Sequence, residues 1–183
     1  VIGYLSFSKG DLFDFDAKSS SQSFATPRSW TFVSEILGVD SFDSAGAFEQ
    51  KAEIAGAIGE GMAIKFVEHR KIASKLPNPD QILNGDVKTL DSKLSKEISA
   101  KYSLVVGLAY ELNDIFKDNG IDDKFRKGLN NTVRFAYDNF EPEMVVFLFK
   151  TIMKDYQIRF NVRTDLDKDL HKTFSDRYTK YIA

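Results

Sequence analysis

The chain has 183 residues, is 43% hydrophobic and 28% charged, and carries a formal net charge of −2. This balance fits a soluble globular protein with a real core and excludes a general attraction to nucleic acid or to an anionic membrane. There is no cysteine, so disulfides and thiolate chemistry are excluded and a reducing compartment is permitted.

No apolar run approaches the ~20 residues of a membrane span, and no secretory leader is recognisable. A cytoplasmic protein with no membrane partner is the expectation. The sequon at Asn130-Asn131-Thr132 is then a chance match. The chain starts at Val1, and VIGYLSF reads like the tail of a helix already under way, which points to a piece of a longer protein.

In chain order, residues 1–7 read as a helix end and residues 16–25, DAKSSSQSFA, as a polar loop. Thr26-Pro27 is an N-cap followed by proline at the first helical position. Trp30, Val33 and Leu37 then follow at helical spacing, with Gly38 suited to the C-cap. Residues 44–55 make a further helix. Ile58, Met62 and Phe66, joined by Ala63 and Val67, form an i, i+4, i+8 stripe on a helix running to about Ser74. Leu76-Pro77-Asn78-Pro79 breaks it, and Asp80–Leu83 forms a short helical turn closed by Asn84-Gly85.

The second half begins near Asp91. Leu104, Leu108, Leu112 and Ile115 mark a long helix ending at Asn119-Gly120. Phe125, Leu129, Ala136 and Phe140 mark another. Glu141-Pro142-Glu143 opens a third, and Leu166, Leu170, Phe174 and Tyr178 mark the last. Tyr156, Ile158, Phe160 and Val162 alternate with period two, as a short strand or an extended connection would. The fold class is therefore all-α: a helical subdomain over 1–85 and a helical extension over 91–183, joined around residues 84–91, with at most a short extended segment near 156–162.

One stretch invites a nucleotide reading. Residues 56–65, GAIGEGMAIK, place three glycines within six positions. Gly56 and Gly61 have P-loop spacing, but Met62 and Ala63 stand where lysine and a hydroxyl residue are required. The order G-x-x-G-x-G is also not that of the dinucleotide fingerprint. Glycine costs a helix about 1 kcal/mol per position relative to alanine. Gly56, Gly59 and Gly61 are thus expected to form a turn between two helices or to permit close backbone packing.

Other candidates for chemistry are sparse. His69 and His171 stand about a hundred positions apart, with neither H-E-x-x-H nor a Cys/His cluster, so structural roles are expected. The acidic turn Asp11–Asp16, DLFDFD, lacks the glycine and glutamate of an EF-hand and reads as a solvated loop edge. Arg159, Arg163 and Lys154 form a small basic group that reads as a solvated face.

Arg28 is different. It sits in the first turn of a helix, where free N–H groups and the macrodipole disfavour a cation unless an anion approaches. Phosphate suits both the helix end and a guanidinium group. An arginine lying over Trp30 or paired with a carboxylate explains it equally well.

Three blocks in order carry a resemblance: ATPRSW at 25–30 with its helix to Leu37, Gly56–Phe66, and LPNPDQIL at 76–83. With VIGYL at 1–5, they resemble the C-terminal part of a MoxR-like AAA+ ATPase. That family shows a V-I-x-Y-L run, then T-P-R-S-W, G-A-x-G-E-G-x-A-x-x-F and L-P-x-P-x-x-I-L. The match covers residues 1–85, and residues 91–183 follow only in outline.

The resemblance implies a lid subdomain in which Arg28 matches the sensor-2 arginine that reads ATP phosphates in an assembled ring. It also implies an upstream core holding ATP and Mg²⁺, neighbouring ring subunits, and a von Willebrand A-type protein as a common partner. Walker A and Walker B are not in these residues, so this stretch alone is not expected to hydrolyse ATP. The alternative is a free-standing helical protein–protein interaction module without a nucleotide role. A nucleic-acid binder is disfavoured by the balanced charge.

Overall fold

Three prolines stand at the first position of a helix: Pro27 opens α2 (Pro27–Leu37), Pro79 opens α5 (Pro79–Asn84) and Pro142 opens α8 (Pro142–Lys150). Proline suits this position because its missing N–H would have no intrahelical partner there. Thr26 and Asn78 cap the first two helices with side-chain oxygens. Around them run α1 (Ile2–Phe7), α3 (Ala47–Ile58), α4 (Glu60–Ala73), α6 (Ile98–Asn119), α7 (Asp123–Asn139), α9 (Val162–Asp165), α10 (Lys168–Arg177) and α11 (Thr179–Ile182).

The computed structural model describes residues 1–18 and 22–182, and among them every regular element is helical, with no strand. Residues 19–21 of the expected polar loop lie outside the described residues. No described helix is long and apolar enough to cross a membrane.

The chain divides into two compact units, Val1–Ser74 and Lys75–Ala183. The division falls before the expected 84–91 junction because Ile82 and Leu83 of α5 belong to the core of the second unit.

In the first unit, α1 to α4 surround an aromatic group. Trp30 and Phe66 lie 5.2 Å apart between ring centroids, and Tyr4 lies 5.6 Å from Trp30 and 5.4 Å from Phe66. Tilted and edge-on ring pairs of this kind add about 0.5–1.5 kcal/mol beyond area burial. The stripe Ile58, Met62, Phe66 is buried as its spacing predicts. Its first member nevertheless ends α3 and does not begin α4. The break lies at Gly59, whose φ of 84° and ψ of 154° end one helix and start the next.

In the second unit, α6 is flanked by α5, α7 and α8. A Cβ at Gly107 of α6 would meet Pro79 Cγ at 3.0 Å, so glycine lets α5 approach closely. Asn131 Nδ2 donates to the Leu83 carbonyl at 2.8 Å and satisfies the end of α5. Gly85 closes that helix in the left-handed region, with φ 87°.

The alternating stretch is neither a strand nor extended throughout: Tyr156 is helical, Gln157 has φ 56°, residues 158–161 form an irregular connection and Val162 begins α9. Ile158 and Phe160 are buried and Arg159 and Asn161 exposed, so the period-two pattern is real. It marks a chain laid across the core without a pairing strand. Asp165 fastens the following segment to α7, accepting from Arg126 Nε at 3.0 Å, while its carbonyl accepts from Asn130 Nδ2 at 2.9 Å.

Candidate functional site

Arg28 occupies the second position of α2. The helix start around it is largely satisfied from within. Thr26 Oγ1 accepts from the Ser29 N–H at 3.0 Å, Ser29 Oγ accepts from the Thr26 N–H at 2.8 Å, and Pro27 has no N–H. The Trp30 N–H donates to the Thr26 carbonyl at 3.0 Å. The Arg28 N–H is therefore the one backbone donor of this first turn with no partner among the described residues.

Its side chain is exposed. Among the described residues Arg28 has neither a cation–ring contact with Trp30 nor a carboxylate partner. Arg70, the other arginine of this unit, reaches Asp43 at 3.4 Å and lies over the Phe42 ring at 5.1 Å.

The acidic turn is not uniformly solvated. Asp11 is half-buried; its carboxylate accepts from the Tyr4 hydroxyl and lies 3.5 Å from Lys65 Nζ. Its backbone carbonyl accepts from Trp30 Nε1 at 2.9 Å. Burial, then the Asp11 hydrogen bond, raise the Tyr4 pKa. No group of His, Cys, Asp or Glu among the described residues could hold a metal ion.

The two histidines belong to different units. His69 is buried in the first unit, 5.2 Å from the Tyr4 ring, and burial lowers its pKa. His171 lies on α10 of the second unit, with Nε2 3.2 Å from Ser175 Oγ. Lys154, Arg159 and Arg163 are exposed and form no ion pair among the described residues, as a solvated face would.

The glycine-rich stretch has a local explanation. Gly59 supplies the break. Gly61, in the first turn of α4, has open space where a Cβ would lie. Gly56 offers its carbonyl to Ser23 Oγ at 2.7 Å. Gly59 and Gly61 then form part of the floor of a cleft of about 540 Å³.

One wall of the cleft is formed by residues 14–17 and by Ser23 and Phe24, which lie against one another. The Asp14 N–H donates to the Ala25 carbonyl at 3.0 Å, and the Phe15 and Phe24 rings lie 4.9 Å apart. Ser29 Oγ donates to the Phe24 carbonyl at 3.1 Å, which ties that wall to the start of α2. Sequence reasoning passed over this cleft. The available signal was the aromatic–acidic alternation of DLFDFD, which also reads as a loop edge.

No known protein family matches the chain, and none was found among curated proteins or solved structures.

Proposed function

We propose that the chain is the lid and helical extension of a MoxR-like AAA+ ATPase, coupling ATP binding and hydrolysis in an upstream core to remodelling of a protein partner. The observation that carries this reading is Arg28: an exposed guanidinium in the first turn of α2 which, among the described residues, has no anionic partner and stands beside an N–H without a partner. That pair of donors suits a phosphate oxygen. These residues contain no G-x-x-x-x-G-K-[ST] motif, and so neither its lysine nor its Mg²⁺-binding hydroxyl. In this reading ATP and Mg²⁺ bind the core, and Arg28 adds one contact that draws the lid toward the nucleotide. Hydrolysis weakens that contact and releases the lid, a hinge-type transition.

The test starts in the reading frame upstream of Val1, where a G-x-x-x-x-G-K-[ST] motif is expected. Arg28→Ala in that full-length protein is expected to reduce ATPase activity or ring assembly. An unchanged rate together with unchanged assembly refutes the role.

A second reading, a helical protein-interaction module without a nucleotide role, is favoured by a different observation. The first unit exposes Phe7, Phe13, Phe15, Phe32 and Phe48 to solvent, whereas the exposed large apolar side chains of the second are Ile98, Tyr110 and Tyr181 among the described residues. Exposed rings that adjoin, as Phe13 and Phe15 do at 6.5 Å between centroids, mark a surface suited to cover by another protein. A start codon at or just before Val1 favours this module.

A further inference from the structure

The cleft between residues 14–17 and 23–24 on one side and the start of α4 on the other has no part in the Arg28 reading, and its chemistry is specific. Its walls are aromatic: Phe15 is 55% and Phe24 37% exposed, so much of each ring remains open to solvent. Its floor is apolar and flat, with Ile58 and Met62 packed into the core beneath and hydrogen atoms in place of side chains at Gly59 and Gly61. Its rim is acidic. Asp14 and Asp16 are exposed, and neither meets a cation among the described residues.

Glu60 and Lys65 also line the cleft, but both are engaged at 3.5 Å, Glu60 by Lys51 and Lys65 by Asp11. Asp16 Oδ1 accepts from the Lys18 N–H at 2.8 Å, but neither Asp14 nor Asp16 is in an ion pair among the described residues. Two such carboxylates beside open aromatic rings form a receptor for a cation. A guanidinium or ammonium group gains attraction from the ring faces and hydrogen-bonded charge pairing from the carboxylates.

The walls are held in place independently of any ligand. Ser23 Oγ is bonded to the Gly56 carbonyl, the Phe24 carbonyl to Ser29 Oγ, and the Asp14 N–H to the Ala25 carbonyl. A pre-formed cleft loses less entropy on binding than one that must first be ordered.

We propose that this cleft is a docking site for a basic segment of a partner protein. An arginine or lysine of the partner lies between the Phe15 and Phe24 rings and the Asp14 and Asp16 carboxylates, and an adjacent apolar side chain rests on the floor at Gly59 and Gly61. The shared requirement is charge and apolar surface in alternation, which an extended peptide presents on opposite faces. Gly59 and Gly61 thereby acquire a second use: a side chain at position 61 would stand in the cleft. This site does not depend on whether the unit serves as a lid.

The probe is a capped, fluorescein-labelled hexapeptide of alternating arginine and leucine, titrated into the 183-residue chain and followed by fluorescence anisotropy. Its twin carries glutamate in place of arginine. Saturable binding of the arginine peptide, weakened by added salt, is expected, with no binding of the glutamate twin. Two variants address the site by different means. Asp14→Asn with Asp16→Asn removes the charge isosterically, and Gly61→Lys puts bulk and a cation into space that is empty in the parent. Each is expected to weaken binding by about tenfold or more.

Glu35→Gln with Asp40→Asn removes two exposed carboxylates outside the cleft and is expected to leave affinity unchanged. Far-UV circular dichroism verifies that each variant is folded. Equal binding of both peptides, parent-like affinity in both cleft variants, or an equal loss in the Glu35/Asp40 control overturns the proposal. Displacement of the peptide by millimolar inorganic phosphate at constant ionic strength also overturns it, by assigning the cleft to an anion.

Discussion

The three glycines of GAIGEGMAIK are expected to respond to alanine with opposite signs. Gly59 has φ 84° and ψ 154°, a region of backbone space that is essentially glycine's alone and costs another residue about 1–3 kcal/mol. Nothing in Gly59→Ala offsets that cost, because the residue lies between two helices. A loss of about 2 kcal/mol in a unit of this size lowers its midpoint by roughly 8–16 °C. Gly56 lies inside α3 with nothing within 4 Å of a Cβ. Gly56→Ala removes unfolded-state freedom without a clash and is expected to stabilise by about 0.5–1 kcal/mol. Gly61→Ala has the same sign and a smaller size, because its helix is only beginning.

Thermal unfolding followed by tryptophan fluorescence reads the first unit alone, since Trp30 is the only tryptophan and is 2% exposed in that core. The backbone reasoning is refuted if Gly59→Ala unfolds within about 1 kcal/mol of the parent. It is equally refuted if Gly56→Ala lowers the midpoint.

Two further outcomes concern titration. Lys101, 2% exposed, donates to both carboxylate oxygens of Glu141, at 2.5 and 2.7 Å, and this hydrogen bond lowers the Glu141 pKa below its ordinary 4.5. A depressed carboxylate stabilises above its unfolded value and loses that contribution as pH falls through the folded one. The acid limb of unfolding, followed by far-UV circular dichroism, should therefore begin below about pH 4.5 and be shallower in Lys101→Met. At neutral pH that variant should lie within about 1 kcal/mol of the parent, because burying the ammonium is itself costly. Tyr4 is the only tyrosine before residue 75, and its pKa is raised by burial and then by Asp11. A raised pKa stabilises below the unfolded value and is lost as pH climbs through the folded one. Trp30 fluorescence should show the first unit weakening above about pH 10. Tyr4→Phe should cost about 1–2 kcal/mol at neutral pH and flatten that alkaline limb; an unaltered limb rules out Tyr4 as its source.

The helical class and most helix starts were legible because they are decided within a few residues. Thr26-Pro27 carries both the capping oxygen and the proline that starts the helix, so the chemistry of the boundary is written at the boundary; Asn78-Pro79, read only as the end of the preceding helix, does the same for α5. The apolar stripe at Ile58, Met62 and Phe66 announced burial for the same reason, although it did not reveal that Gly59 divides it between two helices. The glycines were readable as a turn, and the period-two alternation at 156–162 as a chain with one buried side.

Contacts between distant residues decided the rest. The alternating segment is not a strand because no other segment pairs with it among the described residues. Helix α5 belongs to the second unit because Gly107 admits Pro79 and Asn131 caps Leu83. Asp11 became a hub because Tyr4, Trp30 and Lys65 converge on it. Arg28 was marked by its place in a first helical turn. That it stands exposed, with no carboxylate or ring beside it among the described residues, depends on which side chains the fold brings near it. Local capping and periodicity act over one helical turn and are written in sequence. The partner of a charge and the shape of a cleft arise from residues tens of positions apart, and only the packed chain determines them.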